Sequence, residues 1–236
     1  RMEKDDIMVM TSQPSTGSLQ EAVQKIKEQG YSHIIGLPIA TGLSSTMNGM
    51  KLACDMLEMP VTLVDTKGTA SNQKYLVEVA AKLAGEGKSP EEIKEILEKL
   101  VEDSATIIMV PNLEHLKKGG RITPAAALLG GMLKIKPILQ IQGEKLDSFA
   151  KTRTMARGTK IMKEAIAKDI KERFDDDYHN VHICVAYTYD EAPALELKKE
   201  LEELYPGENI ICDPLSLSVS CHIGPHSLAI AICKKI

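Results

Sequence analysis

The feature that most constrains this chain is a strand-to-helix junction that occurs twice in its first third. An apolar run from His33 to Ile39 is short and bounded, as a buried strand is, and hydroxyl residues follow it up to Thr46. Thr46 to Glu58 then carries apolar residues at Met47, Met50, Ala53, Cys54 and Leu57, the spacing of a helix with one buried face. Val61 to Asp65 repeats the strand, and Thr66-Lys-Gly-Thr-Ala-Ser71 repeats the polar loop that leads into a helix. Strands joined through helices pair in parallel, so this rhythm predicts a parallel sheet flanked by helices. Ligands in such sheets sit beyond the carboxyl ends of the strands, which directs attention to the loops at 11–16, 40–46 and 65–71. A strand that ends in Gly, Ser and Thr and opens into a helix aims unpaired N–H groups and hydroxyls at one spot, which suits a phosphate or carboxylate. The same residues also serve as plain helix caps.

The remainder changes character. Thr11-Ser-Gln-Pro-Ser15 is a hydroxyl-rich turn, and Ser18 is positioned to cap a helix from Leu19 to Gln29 that Gly30 stops. Ser89-Pro-Glu-Glu92 combines an N-cap, Pro at the first helical position and Glu at the third, predicting a helix to about Val101. Strand Ala105–Val110, a short helix Leu113–Lys118 and a small, apolar helix Ala125–Leu133 follow. Ile135–Gln142 and Lys145–Lys151, joined at Gly143-Glu144, read as an antiparallel hairpin. A long amphipathic helix from Thr154 to Phe174, strand Val181–Tyr187, a helix Glu191–Leu204 and strands at Asn209–Cys212 and Ser227–Cys233 complete the chain. The expectation is an α/β protein of two domains: residues 1–103 built on a parallel sheet and 104–236 on a mixed or antiparallel one. The chain opens on Arg1-Met-Glu-Lys-Asp-Asp6, which reads as the end of a helix, so an N-terminal segment is expected to be missing from the first domain.

A formal net charge of −4 gives no electrostatic case for nucleic acid or an anionic membrane surface. No apolar run reaches the roughly 18 residues of a membrane span, and no signal peptide stands at the start, so the cytoplasm is the expected location. The five cysteines contain no C-x-x-C pair, which indicates neither a zinc site nor a disulfide framework. Eleven Met against two Phe and no Trp give an adaptable aliphatic interior, suited to a flexible apolar ligand.

Several motifs carry alternatives. Gly42-Leu-Ser44-Ser-Thr46 is one residue short of the G-x-S-x-G nucleophile elbow, and Asp190 or Asp213 followed by His222 would supply hydrolase order. Against this, Thr46 stands where close packing favours Gly, and no H-G-G-G loop occurs. His222-Ile-Gly-Pro-His226 has metal-like i, i+4 spacing, but Gly224 and Pro225 break a helix there; a histidine at such a turn either packs structurally or donates to an anion at a pocket mouth. Lys118-Gly-Gly-Arg121 lacks P-loop spacing and reads as a helix stop with Gly119 left-handed, leaving Arg121 as an interdomain anchor. Arg153 ends the hairpin, where burial would require an acidic partner or a ligand.

Taken together and in order, these pieces resemble the DegV family of bacterial fatty-acid-binding proteins. The resemblance rests on Thr11-Ser-Gln-Pro, Leu43-Ser-Ser-Thr46, Val64-Asp-Thr66, Leu116-Lys-Lys-Gly-Gly-Arg121-Ile, Ile135-Lys-Pro-Ile-Leu139, Lys151-Thr-Arg153 and His222-Ile-Gly-Pro225. It implies a DegV-like pair of α/β domains that hold a long-chain fatty acid in an apolar tunnel, its carboxylate at the interdomain cleft. By position, Thr11, Ser44 and the adjoining Ser45 would contact the carboxylate, with Arg153 and His222 at the same end. The resemblance further implies a carrier without catalytic activity, cofactor or metal. It would present the acid to a separate ATP-binding kinase subunit for conversion to acyl phosphate, touching a membrane surface as lipid exchanges. A serine hydrolase using Ser44 and a sensor of small non-lipid anions are the alternative functions. Two residues depart from the family pattern: Ser45 replaces Gly in L-S-G-T, and His226 replaces the last Gly of H-x-G-P-G. The family's N-terminal D-S-x-x-D-L strand has no counterpart in this sequence.

Overall fold

The computed structural model describes residues 7, 9–128, 135–142 and 145–236, so the opening hexapeptide, the second half of the Ala125–Leu133 helix and the Gly143-Glu144 turn lie outside the described residues. The chain divides into two compact units, Ser12–Glu102 and the segment up to Thr11 together with Asp103–Ile236. The sequence pattern assigns residues 1–103 to one domain; Thr11 groups instead with the C-terminal unit, where it makes a side-chain hydrogen bond to His222.

The smaller unit runs α1 (Thr16–Glu28), β1 (Ile34–Gly36), α2 (Thr46–Met56), β2 (Val61–Leu63), α3 (Ala70–Gly85) and α4 (Pro90–Glu102). β1 and β2 pair in parallel, as the repeated junction predicts, although β1 covers only the middle of the expected His33–Ile39 run. The backbone leaves the ladder at Leu37-Pro38, where Pro has no N–H to give. Ser15, not Ser18, caps α1: its Oγ accepts the Ser18 N–H at 3.1 Å. α4 opens with the expected reciprocal cap, Ser89 N–H donating to Glu92 at 2.8 Å and Glu92 N–H donating to Ser89 Oγ at 3.2 Å. These bonds favour the ionised carboxylate and hold the Glu92 pKa below its usual value. α1, α2 and the strands enclose Val23, Ala53, Cys54 and Met59. Gly36 lets α2 approach the sheet, since a Cβ there would lie 2.6 Å from Leu63 Cδ2 and 2.6 Å from Met50 Cε.

The larger unit holds β3 (Ser104–Met109), α5 (Glu114–Gly119), α6 (Pro124–Ala127), β4 (Lys136–Gln142), β5 (Lys145–Thr152), α7 (Met155–Arg173), β6 (Val181–Tyr187), α8 (Ala192–Leu204), β7 (Ile211–Pro214), α9 (Leu217–Ile223) and β8 (Leu228–Lys234). Its sheet has the order β5-β4-β3-β8-β6-β7, antiparallel except for β6 with β7. The last strand of the chain is thus inserted at the centre, and six consecutive buried residues, Leu228–Cys233, reflect cover on both faces. Period-two alternation sorts the side chains. Ile107, Met109, Val181, Ile183, Val185, Ile230 and Ile232 pack under α7 and α8 with Met162, Ile166, Phe174, Leu197 and Leu201. Ile108, Leu139, Ala186 and Ala229 face the other way, toward Leu116 of α5, Ala126 of α6 and Ile223 of α9. Gly158 lies in the first turns of α7, where a Cβ would run into Met109 Sδ.

Candidate functional site

In the smaller unit the loop between β1 and α2 is tied mostly to itself and to the loop after β2. Ser44 Oγ lies 2.8 Å from Thr46 Oγ1 and accepts the Thr46 N–H at 3.3 Å. Ser45 occupies the N-cap position of α2 with φ −82° and ψ 15°, its side chain exposed and making no cap bond. Thr41 donates its hydroxyl to Asp65 at 2.5 Å, and the Lys67 N–H donates to the other Asp65 oxygen at 3.0 Å. Buried Thr66 donates to Pro38 O at 2.8 Å, and the Ala40 N–H donates to Gly68 O at 2.9 Å. Two of the three loops singled out from sequence are therefore stitched together. A cavity of about 470 Å³ in this unit is lined by Asp65, Lys67, Glu95, Glu98, Lys99 and Glu102, walls too charged for an acyl chain.

In the larger unit, Thr11 Oγ1 and His222 Nε2 share a hydrogen bond of 2.6 Å across 211 residues of sequence. His222 stands in the last turn of α9, and its ring abuts α5 through Nδ1: a Cβ on Gly119 would be 2.7 Å from His222 Nδ1. The contact is reciprocated, because a Cβ on Gly224 would be 2.7 Å from His115 Cδ2. Each of the two short helices thus offers a histidine to the other's glycine. Gly120, not Gly119, takes the left-handed conformation that ends α5, with φ +68°. Gly119 is needed for clearance instead. Arg121, read from sequence as an interdomain anchor, donates through Nη1 to the Gly119 carbonyl and so caps α5. Burial, and secondarily the Arg121 guanidinium, hold His222 below the ordinary imidazole pKa, so the ring is neutral at pH 7.

The residues that sequence reading missed are Thr188 and Ser227, each 2% exposed. Thr188 Oγ1 donates to Gly224 O at 2.8 Å and accepts the Ser227 N–H at 2.9 Å, while Ser227 Oγ lies 3.2 Å from both the Ile223 and Gly224 carbonyls. No motif marks them; only the pairing of β6 with β8 brings the two together. Arg153 lies just beyond β5, exposed, with no hydrogen-bond partner among the described residues. Neighbouring Thr152 is buried and receives the Thr154 N–H at 3.4 Å, which fixes the entry to α7. The structure therefore brings Thr11 and His222 together, keeps Arg153 in the same unit, and puts Ser44 and Ser45 in the other unit.

The hydrolase arrangement gains nothing from these contacts. A catalytic base needs a carboxylate that raises its basicity, whereas the charge acting on His222 is a guanidinium that lowers it. Ser44 Oγ shares its side-chain hydrogen bond with Thr46 Oγ1 and not with a histidine, and Asp190 accepts the Ala192 N–H at 3.3 Å at the start of α8. His226 turns its ring to Tyr189 at 4.9 Å, and among the described residues no group of His, Cys, Asp or Glu is arranged to hold a metal.

The family model described as "Uncharacterised protein, DegV family" matches residues 1–235. The chain belongs to the DegV family. A DegV domain-containing protein of Streptococcus pyogenes serotype M3, SPs1668, is 30% identical over 228 residues, covering 94% of this chain and 77% of that protein. The crystal structure of the fatty acid binding DegV family protein SAG1342 from Streptococcus agalactiae superposes with a TM-score of 0.88 at 25% identity, covering all of this chain and 82% of that one. DegV from Bacillus subtilis, a fatty acid binding protein, gives 0.87 at 27% identity, with 99% and 82% covered.

Membership in the DegV family gives the two departures different meanings. His226 has φ +57°, the left-handed region that glycine enters freely, so the histidine takes on backbone strain that the glycine expected from the resemblance would not. Ser45, at φ −82°, adopts a conformation open to any residue and points to solvent, so this exchange carries no backbone penalty.

Proposed function

We propose that this chain binds one long-chain fatty acid and presents its carboxylate to a separate kinase that converts it to an acyl phosphate, the chain itself performing no chemistry. The observation that carries the reading is the Thr11–His222 pair at 2.6 Å in a chain of the DegV family, two of whose similar structures are of fatty-acid-binding proteins. With the neutral imidazole donating Nε2–H to Thr11 Oγ1, the Thr11 hydroxyl is left to donate one hydrogen bond to a carboxylate, without the cost of desolvating a second ion, and Arg121 nearby supplies positive charge. Thr11 and His222 are the head-group contacts of the larger unit; Ser44, Ser45 and Arg153 are the others that the family pattern implies. Burying an acyl chain is worth about 0.8 kcal/mol per CH₂, so a 16-carbon tail gains roughly 10 kcal/mol, and hydrogen bonds at the head add far less. The tail supplies affinity and the head group sets orientation for phosphoryl transfer. The acid enters from a lipid surface, and the chain works in the cytoplasm as a carrier with no cofactor of its own. Among the described residues no helix is long and apolar enough to cross a membrane.

Organic extraction of the purified protein followed by mass spectrometry tests this reading. One fatty acid per chain, or uptake of added oleate or palmitate, is the expected result. Neither endogenous acid nor uptake of either lipid would overturn it. Arg153→Ala and His222→Ala should impair phosphorylation of bound lipid by a kinase partner more than they impair lipid binding; equal losses would contradict the tail-dominated account.

A further inference from the structure

The two buried hydroxyls outside the family motifs, Thr188 and Ser227, converge on the turn that follows His222. Gly224 there has φ +81° and ψ 171°, a conformation open in practice only to glycine, and a free peptide in that region would sample many others. Its carbonyl receives Thr188 Oγ1 at 2.8 Å and lies 3.2 Å from Ser227 Oγ, so two side chains fix the peptide plane from opposite strands. Backbone bonds lock the same hydroxyl residues in place, the Thr188 N–H donating to Ser227 O at 3.1 Å and the His226 N–H donating to Thr188 O at 3.1 Å. Ser227 Oγ is also 3.2 Å from the Ile223 carbonyl, the residue after His222. α9 is only seven residues long, so its own hydrogen bonds hold its end weakly, and the tether decides where His222 points.

We propose that Thr188, seconded by Ser227, is a positioning residue: it holds the end of α9 so that His222 Nε2 stays within hydrogen-bond reach of Thr11 and of a ligand carboxylate. The inference rests on the fatty-acid reading for its ligand, but the tether itself is a property of the free protein. Only the head-group contact depends on it, since neither hydroxyl need touch an acyl chain.

The test compares Thr188→Val, which keeps shape and loses the hydroxyl, with Thr188→Ser, which restores it, and measures binding of oleate and of oleyl alcohol. Thr188→Val should weaken oleate about tenfold and leave oleyl alcohol within twofold, and Thr188→Ser should bring oleate back to within twofold of the parent. Ser227→Ala should weaken oleate in the same direction by a smaller factor, and it serves as the working variant if Thr188→Val does not fold. In the ligand-free protein, the His222 imidazole NMR signals should shift in Thr188→Val and return in Thr188→Ser. Unchanged oleate binding in a folded variant, equal weakening of both lipids, or imidazole signals identical to the parent would each overturn the proposal. Failure of the unmodified protein to bind oleate would instead remove the fatty-acid reading, with the imidazole arm still deciding whether the tether positions His222.

Discussion

The Ser44 loop and the His222 turn present the same kinds of group, hydroxyls and backbone amides beside a helix end, but they are built differently. The Ser44 loop is tied to the loop after β2 at its start, but its Ser44–Thr46 end is assembled locally: Ser44 bonds Thr46, two residues away, and the adjacent Ser45 is exposed with ordinary backbone angles. The His222 turn is assembled from Thr11, His115, Gly119, Arg121, Thr188 and Ser227, residues far apart in sequence, and has glycines where no other residue fits. The difference is one of tolerance. A local loop accepts a family glycine changed to serine, while a turn held from several sides transmits any change to the imidazole.

The largest effect expected from this contrast is at Gly224. Gly224→Ala must force φ +81° on a residue with a Cβ and drive that Cβ toward His115, so it should cost about 3 kcal/mol, measured by urea denaturation. Gly119→Ala meets the His222 ring first, and should cost roughly 1–3 kcal/mol while displacing the imidazole NMR signals; unmoved signals would separate the glycine from the histidine.

A smaller effect comes from pH. Burial lowers the folded pKa of His222 from its ordinary 6.5, so both states are neutral at higher pH and its contribution is fully present there. As pH falls below about 6.5 the unfolded chain takes the proton first, and stability is lost until the folded value is passed. The urea midpoint should therefore decline from pH 7.5 to pH 5.5 less steeply in His222→Gln than in the parent. The smallest effect is expected in the Ser44 loop, where Ser45→Gly should change stability by only a few tenths of a kcal/mol, since the serine makes no cap bond to lose. A loss of 2 kcal/mol there would erase the contrast between the two regions.

The periodic parts of this fold were legible in the sequence. The capping box at Ser89–Glu92, the parallel pairing of β1 with β2 and the β4–β5 hairpin all follow from local patterns. The insertion of β8 between β3 and β6 was not legible, because register among non-consecutive strands depends on contacts that no local window contains. The same limit governs the site. His222, Thr11 and Ser44 carry motifs, whereas Thr188 and Ser227 lie in an ordinary strand end and an ordinary turn and gain their role only when β6 and β8 pair. A glycine pair after Lys118 has the local meaning of a helix stop, whereas the contact of Gly119 with His222 is tertiary and no local window contains it. The choice of Ser18 over Ser15 as the cap of α1 was a shift within a single turn, where several hydroxyl residues compete for one set of N–H groups.

The central claim is that Thr11 and His222 receive the carboxylate of a bound fatty acid. It is tested most directly by the carboxyl ¹³C resonance of [1-¹³C]oleate bound to the parent protein, to Thr11→Val and to His222→Gln. The account predicts a resonance displaced from that of free oleate, with a different position in each variant while the lipid stays bound. A carboxyl signal identical in all three proteins would show that the head group lies elsewhere and would contradict it.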